Sequence, residues 1–132
     1  TMDTILNNQN ISLELTDVDY EILIDGDYER LKQVFVNMIK NAYEAHANKI
    51  KISLQVHNEK VEILIQDNGD GIDKKDLNKI GKLFYTTKSK GNGIGVCMSQ
   101  EIIKLHQGFI KYSSKLGEGT TVKIILPISF CF

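Results

Sequence analysis

Two runs of strict alternation, Ile50, Ile52, Leu54, Val56 and then Val61, Ile63, Ile65, are separated by little more than Asn58-Glu59-Lys60. A strand turns successive side chains to opposite faces, so each run has one apolar edge, and so short a break allows only a tight reversal. The segment is therefore a β-hairpin with one buried face, and that face demands a covering layer. Residues 28–47 can supply it. Leu31, Val34, Phe35, Met38, Ile39 and Ala42 recur at three- and four-residue steps, the period of an amphipathic helix. Asp25-Gly26-Asp27 ends the preceding strand and offers an N-cap.

The remaining periodicities fill in the same plan. Ile11, Leu13 and Leu15, then Ile22 with Ile24, predict two short strands or one hairpin over residues 10–25. Residues 73–83 have a weak helical period (Leu77, Ile80, Leu83), residues 85–92 have none, and a second helix is expected over 94–106, stopping at Gly108. Residues 109–113 and 121–128 read as a closing strand pair joined through 115–119. This order predicts an α+β two-layer sandwich: a mixed, mostly antiparallel sheet of about five strands with one face covered by about three helices. No strand-helix-strand crossover leads into a Gly-x-x-x-x-Gly-Lys loop, which argues against the usual phosphate-loop fold.

At 132 residues and 42% apolar, the chain is long enough for one such domain. We place it at residues 10–128, with 1–9 as a linker remnant and 129–132 as a C-terminal tail, because Thr1-Met2 followed directly by Leu6-Asn7-Asn8 looks cut from something longer. Sixteen basic against seventeen acidic residues give no reason to expect nucleic acid or an anionic membrane as partner. Charge is uneven, however. Residues 1–29 hold eight acids and no Lys or Arg, whereas residues 74–90 hold six Lys and one Asp. Cys97 and Cys131 are too few for a disulfide framework or a metal-binding pair, and no apolar run approaches the roughly twenty residues that cross a bilayer. A reducing cytoplasm is the expected setting.

Four segments carry chemistry. Gln33, Asn37 and Asn41 fall at i, i+4 and i+8 on one helical stripe, with Lys40 and Glu44 beside them. Asn is a poor helix-interior residue, and a hard cation such as Mg²⁺, which takes amide and phosphate oxygens and keeps several waters, gives a reason for two of them. The plainer alternative is that both amides bond backbone groups or water. Asp67-Asn68-Gly69-Asp70-Gly71 follows a strand and could be a simple turn. As a calcium loop it fails, because its third position is Gly69 and its twelfth is Asn78. As a ligand site, Asp67 could accept from the exocyclic amine of adenine while Gly69 and Gly71 let a flat ring approach the backbone. Gly91, Gly93 and Gly95 open a helix at Ile94, where free N–H groups suit an anion, and Lys88 and Lys90 add charge for phosphate. The irregular stretch before them, with Phe84 and Tyr85 as a latch or as one edge of the core, reads as a lid. Gly117-Glu118-Gly119-Thr120 is by default a hairpin turn; its functional reading puts Gly119 and the Thr120 hydroxyl against the base.

Taken together, these segments resemble the catalytic domain of sensor histidine kinases, within the ATPase family that also includes gyrase, the mismatch-repair ATPases and a heat-shock chaperone. Gln33-Val34-Phe35-Val36-Asn37-Met38-Ile39-Lys40-Asn41-Ala42 is similar to the family's asparagine box and Leu83-Phe84-Tyr85-Thr86-Thr87-Lys88 to its phenylalanine box. Residues 67–71, 91–95 and 117–120 are similar to its three glycine boxes. More narrowly, the chain is similar to sporulation-type sensor kinases. The resemblance implies a Bergerat-type ATP-binding fold in which Asn41 coordinates Mg²⁺ with help from Asn37. Lys40 would stand with these two as the catalytic group, and Asp67 would bind the adenine amine. Gly69, Gly71, Ile72, Phe84, Thr87, Lys88, Lys90, Gly91, Gly93, Ile94, Gly95, Val96 and Thr120 would complete the nucleotide contacts. Members that hydrolyse ATP carry Glu where this chain has Asn37, and an amide cannot act as a general base for water. Asn92, Val96 and Glu44 depart from common family choices, Glu44 standing where some members have a phosphate-facing Lys.

The function so implied is transfer of the ATP γ-phosphoryl group to a His on a dimerisation helix outside this chain. His46, His57 and His106 lie at helix ends or in a strand, and none has the acidic helical context of a phosphoacceptor. Expected partners are that phosphoacceptor helical domain and a downstream response regulator, with the isolated domain monomeric and the longer protein a homodimer, cytoplasmic or the cytoplasmic portion of a membrane-anchored sensor. Two other readings stay open: an anti-sigma-type serine kinase on the same fold, and a nucleotide-binding docking module without transferase activity.

Overall fold

Ile50, Val61, Ile63 and Ile65 are buried, so the apolar edges of the hairpin do meet a core. The computed structural model describes residues 12–15, 22–24, 26–77, 93–128 and 130–131. Their elements run β1 (Ser12–Leu15), β2 (Ile22–Leu23), α1 (Tyr28–Glu44), β3 (Lys49–His57), β4 (Lys60–Asp67), α2 (Lys74–Leu77), α3 (Gly93–Leu105), β5 (Phe109–Lys115), β6 (Gly119–Pro127) and β7 (Phe130–Cys131). Five strands form one sheet in the order β1-β3-β4-β6-β5, and β2 pairs with β7 in a second, two-stranded sheet. Only the β1–β3 pairing is parallel within the larger sheet, so it is the mixed, mostly antiparallel sheet expected.

Alternate residues build the interface. Val61, Ile63 and Ile65 of β4 and Val122, Ile124 and Leu126 of β6 meet Val34, Met38, Ile39 and Ala42 of α1 and Ile102 and Ile103 of α3 in one continuous core. Each fully buried aliphatic side chain of this size contributes about 1.5–3 kcal/mol relative to exposure. The cross-strand register Ile63↔Ile124 and Ile65↔Val122 keeps these side chains on the helix-covered face, and a slip of one residue would turn the whole set outward.

Of the two readings of residues 10–25, the two short strands are found among the described residues, and one local expectation elsewhere changes. β1 lies parallel to β3, with Leu13 level with Ile50 and Leu15 with Ile52, while β2 joins β7 near the C-terminus. Both pairings are long-range, and alternation alone does not choose a partner. The first helix ends at Glu44 rather than continuing to Ala47. His46 takes a left-handed φ of 65°, and the Ala47 and His46 N–H groups donate back to Ala42 O and Tyr43 O. This is the Schellman closure of a helix, made here without glycine. α3 closes in the same way: Gln107 has φ 61°, and the Gly108 and Gln107 N–H groups donate to Ile103 O and Lys104 O.

Candidate functional site

α1 joins the two halves of the candidate site. Near its middle, Asn37 is buried, accepting from Gln33 Nε2 at 3.1 Å and donating to Ser99 Oγ of α3 at 3.3 Å. At its C-terminal end, Ala45 O accepts from the Asp70 N–H at 2.7 Å, which docks the loop after β4 beneath the helix. Asn41 is half-buried between these two anchor points, and Lys40 is exposed. The polar stripe of α1 thus spans from α3 to the loop after β4, roughly 12 Å at 1.5 Å per residue.

Asp67 ends β4, and its position is fixed by donors. Oδ1 accepts from the Gly69 N–H at 2.9 Å and from the Thr120 N–H at 3.2 Å, which ties the loop after β4 to the start of β6. Ser114 organises the same corner. Its Oγ accepts from the Ile72 N–H at 2.7 Å and donates to Gly119 O at 2.9 Å. Ser114 has a single hydroxyl proton, so in the 2.8 Å contact between the hydroxyls Thr120 is the donor. Thr120 Oγ1 therefore offers only lone pairs to a ligand, beside a carboxylate. The corner is acceptor-rich and complements an N–H donor such as an exocyclic amine.

The glycines here are required by the protein itself. A Cβ on Gly71, whose φ is +75°, would lie 2.1 Å from Lys115 O, and one on Gly119, at φ +121°, would lie 2.0 Å from Asp67 O. A Cβ on Gly69 would lie 2.7 Å from Ala45 O. On sequence these three glycines suit the approach of a flat ring to the backbone, and the packing of the chain supplies a second reason for them. In the structure, the nearest groups are backbone carbonyls of α1's C-terminal turn, β5 and β4.

Gly93, Ile94, Gly95 and Val96 lie in the first turn of α3, which carries no acid there, so its N-terminal N–H groups face an end of the helix suited to an anion. Phe84, Thr87, Lys88, Lys90 and Gly91, with the rest of the expected lid, lie outside the described residues. Ile72 contributes through its backbone N–H. Ser114 and Ser99 were missed by sequence reasoning, since an isolated Ser in a strand or helix carries no pattern. His106, expected at a helix end, lies just past the last residue of α3. It is half-buried and bonded at both nitrogens, Nδ1 against Ile102 O at 2.8 Å and Nε2 accepting from the Asp27 N–H at 2.9 Å, so it pins the start of α1 to the end of α3. The tautomer follows from these partners: Nδ1 carries the proton.

Comparison with known proteins places this geometry. Residues 26–129 match the family described as histidine kinase-, DNA gyrase B-, and HSP90-like ATPase, and the chain belongs to that family. Sporulation kinase C of Bacillus subtilis is 37% identical over 128 residues, covering 96% of this chain and 30% of that protein. The signal transduction histidine-protein kinase AtoS of Escherichia coli is 41% identical over 119 residues, covering 87% of this chain and 20% of that protein. Among solved structures, the nucleotide-free catalytic domain of histidine kinase ThkA superposes with a TM-score of 0.77 at 30% identity, covering 96% of this chain and 84% of that one. The chain is an ATP-binding catalytic domain of the sensor histidine kinase type, and it spans under a third of the curated kinases named here.

Proposed function

We propose that residues 10–128 bind Mg·ATP and pass its γ-phosphoryl group to a His on a dimerisation helix outside this chain. The observation that carries the proposal is the Asp67 corner, where a carboxylate fixed by two backbone N–H groups stands beside a Thr120 hydroxyl left as an acceptor. Adenine presents an amine donor to such a corner; guanine would present a carbonyl at the equivalent position and meet repulsion. With the base there, the triphosphate would pass Asn41 between the C-terminal half of α1 and the N-terminus of α3, with Asn37 one turn further along α1.

The donor set on α1 fits a magnesium ion. Amide oxygens are hard neutral ligands, and among the described residues no group of three or more His, Cys, Asp or Glu forms a dedicated cage, which suits an ion that keeps its waters and phosphate oxygens. Asn41 and Asn37 would hold it, and when bound it neutralises charge on the phosphates and orients them. Asn37 has no basic atom with which to activate water, since an amide takes no proton at neutral pH. Hydrolysis is therefore disfavoured, and the γ-phosphoryl is kept for the acceptor. In transfer, the imidazole nitrogen attacks phosphorus as the bond to the β-phosphate oxygen breaks, and ADP leaves with that electron pair. Positioning carries the rate.

The acceptor helical domain belongs on this reading to the same longer, homodimeric protein, with a response regulator downstream and the catalytic domain in the cytoplasm. No helix among the described residues is long and apolar enough to cross a membrane. The test mixes this chain with the dimerisation domain and γ-labelled ATP. The expected product is acid-labile and alkali-stable, and it is lost with Asn41→Ala. An acid-stable product would establish the serine kinase reading instead, and transfer unaffected by Asn41→Ala would remove that residue from the site.

A further inference from the structure

The two long helices are tied at two levels: the Asp27 N–H bonds His106 Nε2 at 2.9 Å, and Asn37 Nδ2 bonds Ser99 Oγ at 3.3 Å. As numbering rises along α1 it falls along α3, so the helices run antiparallel. Seven residues beyond Asn37, at about 1.5 Å per residue, Glu44 comes level with the first turn of α3, where the phosphates pass on the reading above. Glu44 also follows Asn41 by three residues and so shares its stripe.

This carboxylate is anomalous. Its Oε2 atom is buried, and no group among the described residues donates a hydrogen bond to it. Glu44 takes part in none of the ion pairs found among those residues, and Lys40, the nearest cation before it on α1, is exposed. A carboxylate oxygen withdrawn from water and left without a donor is unfavourable, and beside bound phosphates it would be more so. A divalent cation relieves both conditions, because it satisfies the buried oxygen and screens it from the phosphates.

We propose that Glu44 is a further ligand group for the nucleotide-associated divalent cation, held directly or through one water alongside Asn37 and Asn41. The inference rests on the nucleotide reading above and extends it. The same carboxylate that favours the metal-loaded nucleotide repels metal-free ATP, so Glu44 makes this site selective for Mg·ATP over ATP alone.

The test compares ATP affinity by isothermal titration in excess Mg²⁺ and in excess chelator, for the unaltered chain and Glu44→Gln. The expected result for Glu44→Gln is tighter binding of metal-free ATP and weaker binding of Mg·ATP. The ratio of the two affinities then falls by about tenfold, the scale of one charge contact at a half-exposed site. A purely structural Glu44 would move both affinities together, and an unchanged ratio overturns the proposal. A second measurement needs no variant: Mn²⁺ substituted for Mg²⁺ in the ATP complex broadens the Glu44 carboxyl carbon resonance beyond detection if the metal sits there, and a sharp Glu44 signal overturns the proposal. If the unaltered chain binds ATP under neither condition, the nucleotide reading itself falls; ATP bound with Glu44 unaffected removes only the role of Glu44.

Discussion

Replacing Ser114 by Ala removes one oxygen and leaves three groups without it. The Ile72 N–H loses its acceptor, Gly119 O loses a donor, and the Thr120 hydroxyl loses the partner that fixes its proton. An unsatisfied, partly buried N–H costs about 1–2 kcal/mol, and the two other bonds contribute about 0.5 kcal/mol each where water can partly replace them, for a sum of about 2–3 kcal/mol. Unfolding entropy of about 2.1 cal/mol/K per residue over 132 residues makes each kcal/mol worth about 3.6 °C, so the melting temperature should fall by roughly 7–11 °C. Calorimetry on the Ser114→Ala chain measures this directly. A double-mutant cycle with Thr120→Val isolates the contact between the hydroxyls, for which a coupling of about 1 kcal/mol is expected. Nucleotide affinity should also weaken, because a Thr120 hydroxyl released from Ser114 can turn its proton toward the ligand. A fall of under 2 °C with no coupling would refute the role given to Ser114.

Two further substitutions probe the backbone. Gln107→Gly should stabilise the chain by roughly 0.5–1 kcal/mol, because Gln107 holds a left-handed φ of 61° that closes α3 and glycine adopts it without strain; urea midpoints decide it, and destabilisation would show that the Gln side chain matters more than its backbone. Gly119→Ala should destabilise by roughly 3 kcal/mol or more and weaken nucleotide binding as well, since its Cβ would lie 2.0 Å from the Asp67 backbone oxygen, and calorimetry showing a loss under 1 kcal/mol would contradict the close approach.

Which features could be read from the chain follows from the range over which each is encoded. The hairpin β3–β4, the helix α1 and the closing pair β5–β6 rest on local periodicity, so their existence and faces were legible in Ile50 through Ile65 and in Val34 through Ala42. The parallel seat of β1 on β3 was not. Leu13 opposite Ile50 is a long-range choice that alternation leaves open. The end of α1 was set too late because His46 occupies the left-handed position that sequence rules assign to glycine, whereas the end of α3, expected at 106, falls at Leu105. Within the site, Asp67 and Thr120 were placed together as expected, whereas Ser114 and His106 act through partners 42 and 79 residues away, and nothing local marks them.

The glycines answer to the packing of the chain as well as to any ligand. Gly69, Gly71 and Gly119 were found by their pattern, and the pattern does mark the place where Asp67 is presented. Each lacks a side chain because a carbonyl of Ala45, Lys115 or Asp67 passes within reach of where Cβ would be. Closely packed backbones fix the Asp67 carboxylate against the end of α1, and His106 fixes the other end of that helix to α3. Asn37 and Asn41 ride on a rod held at both ends. Their separation from Asp67 is then a property of the fold rather than of loop conformation, which is the preorganisation that a triphosphate, long and fixed in length, needs from its site.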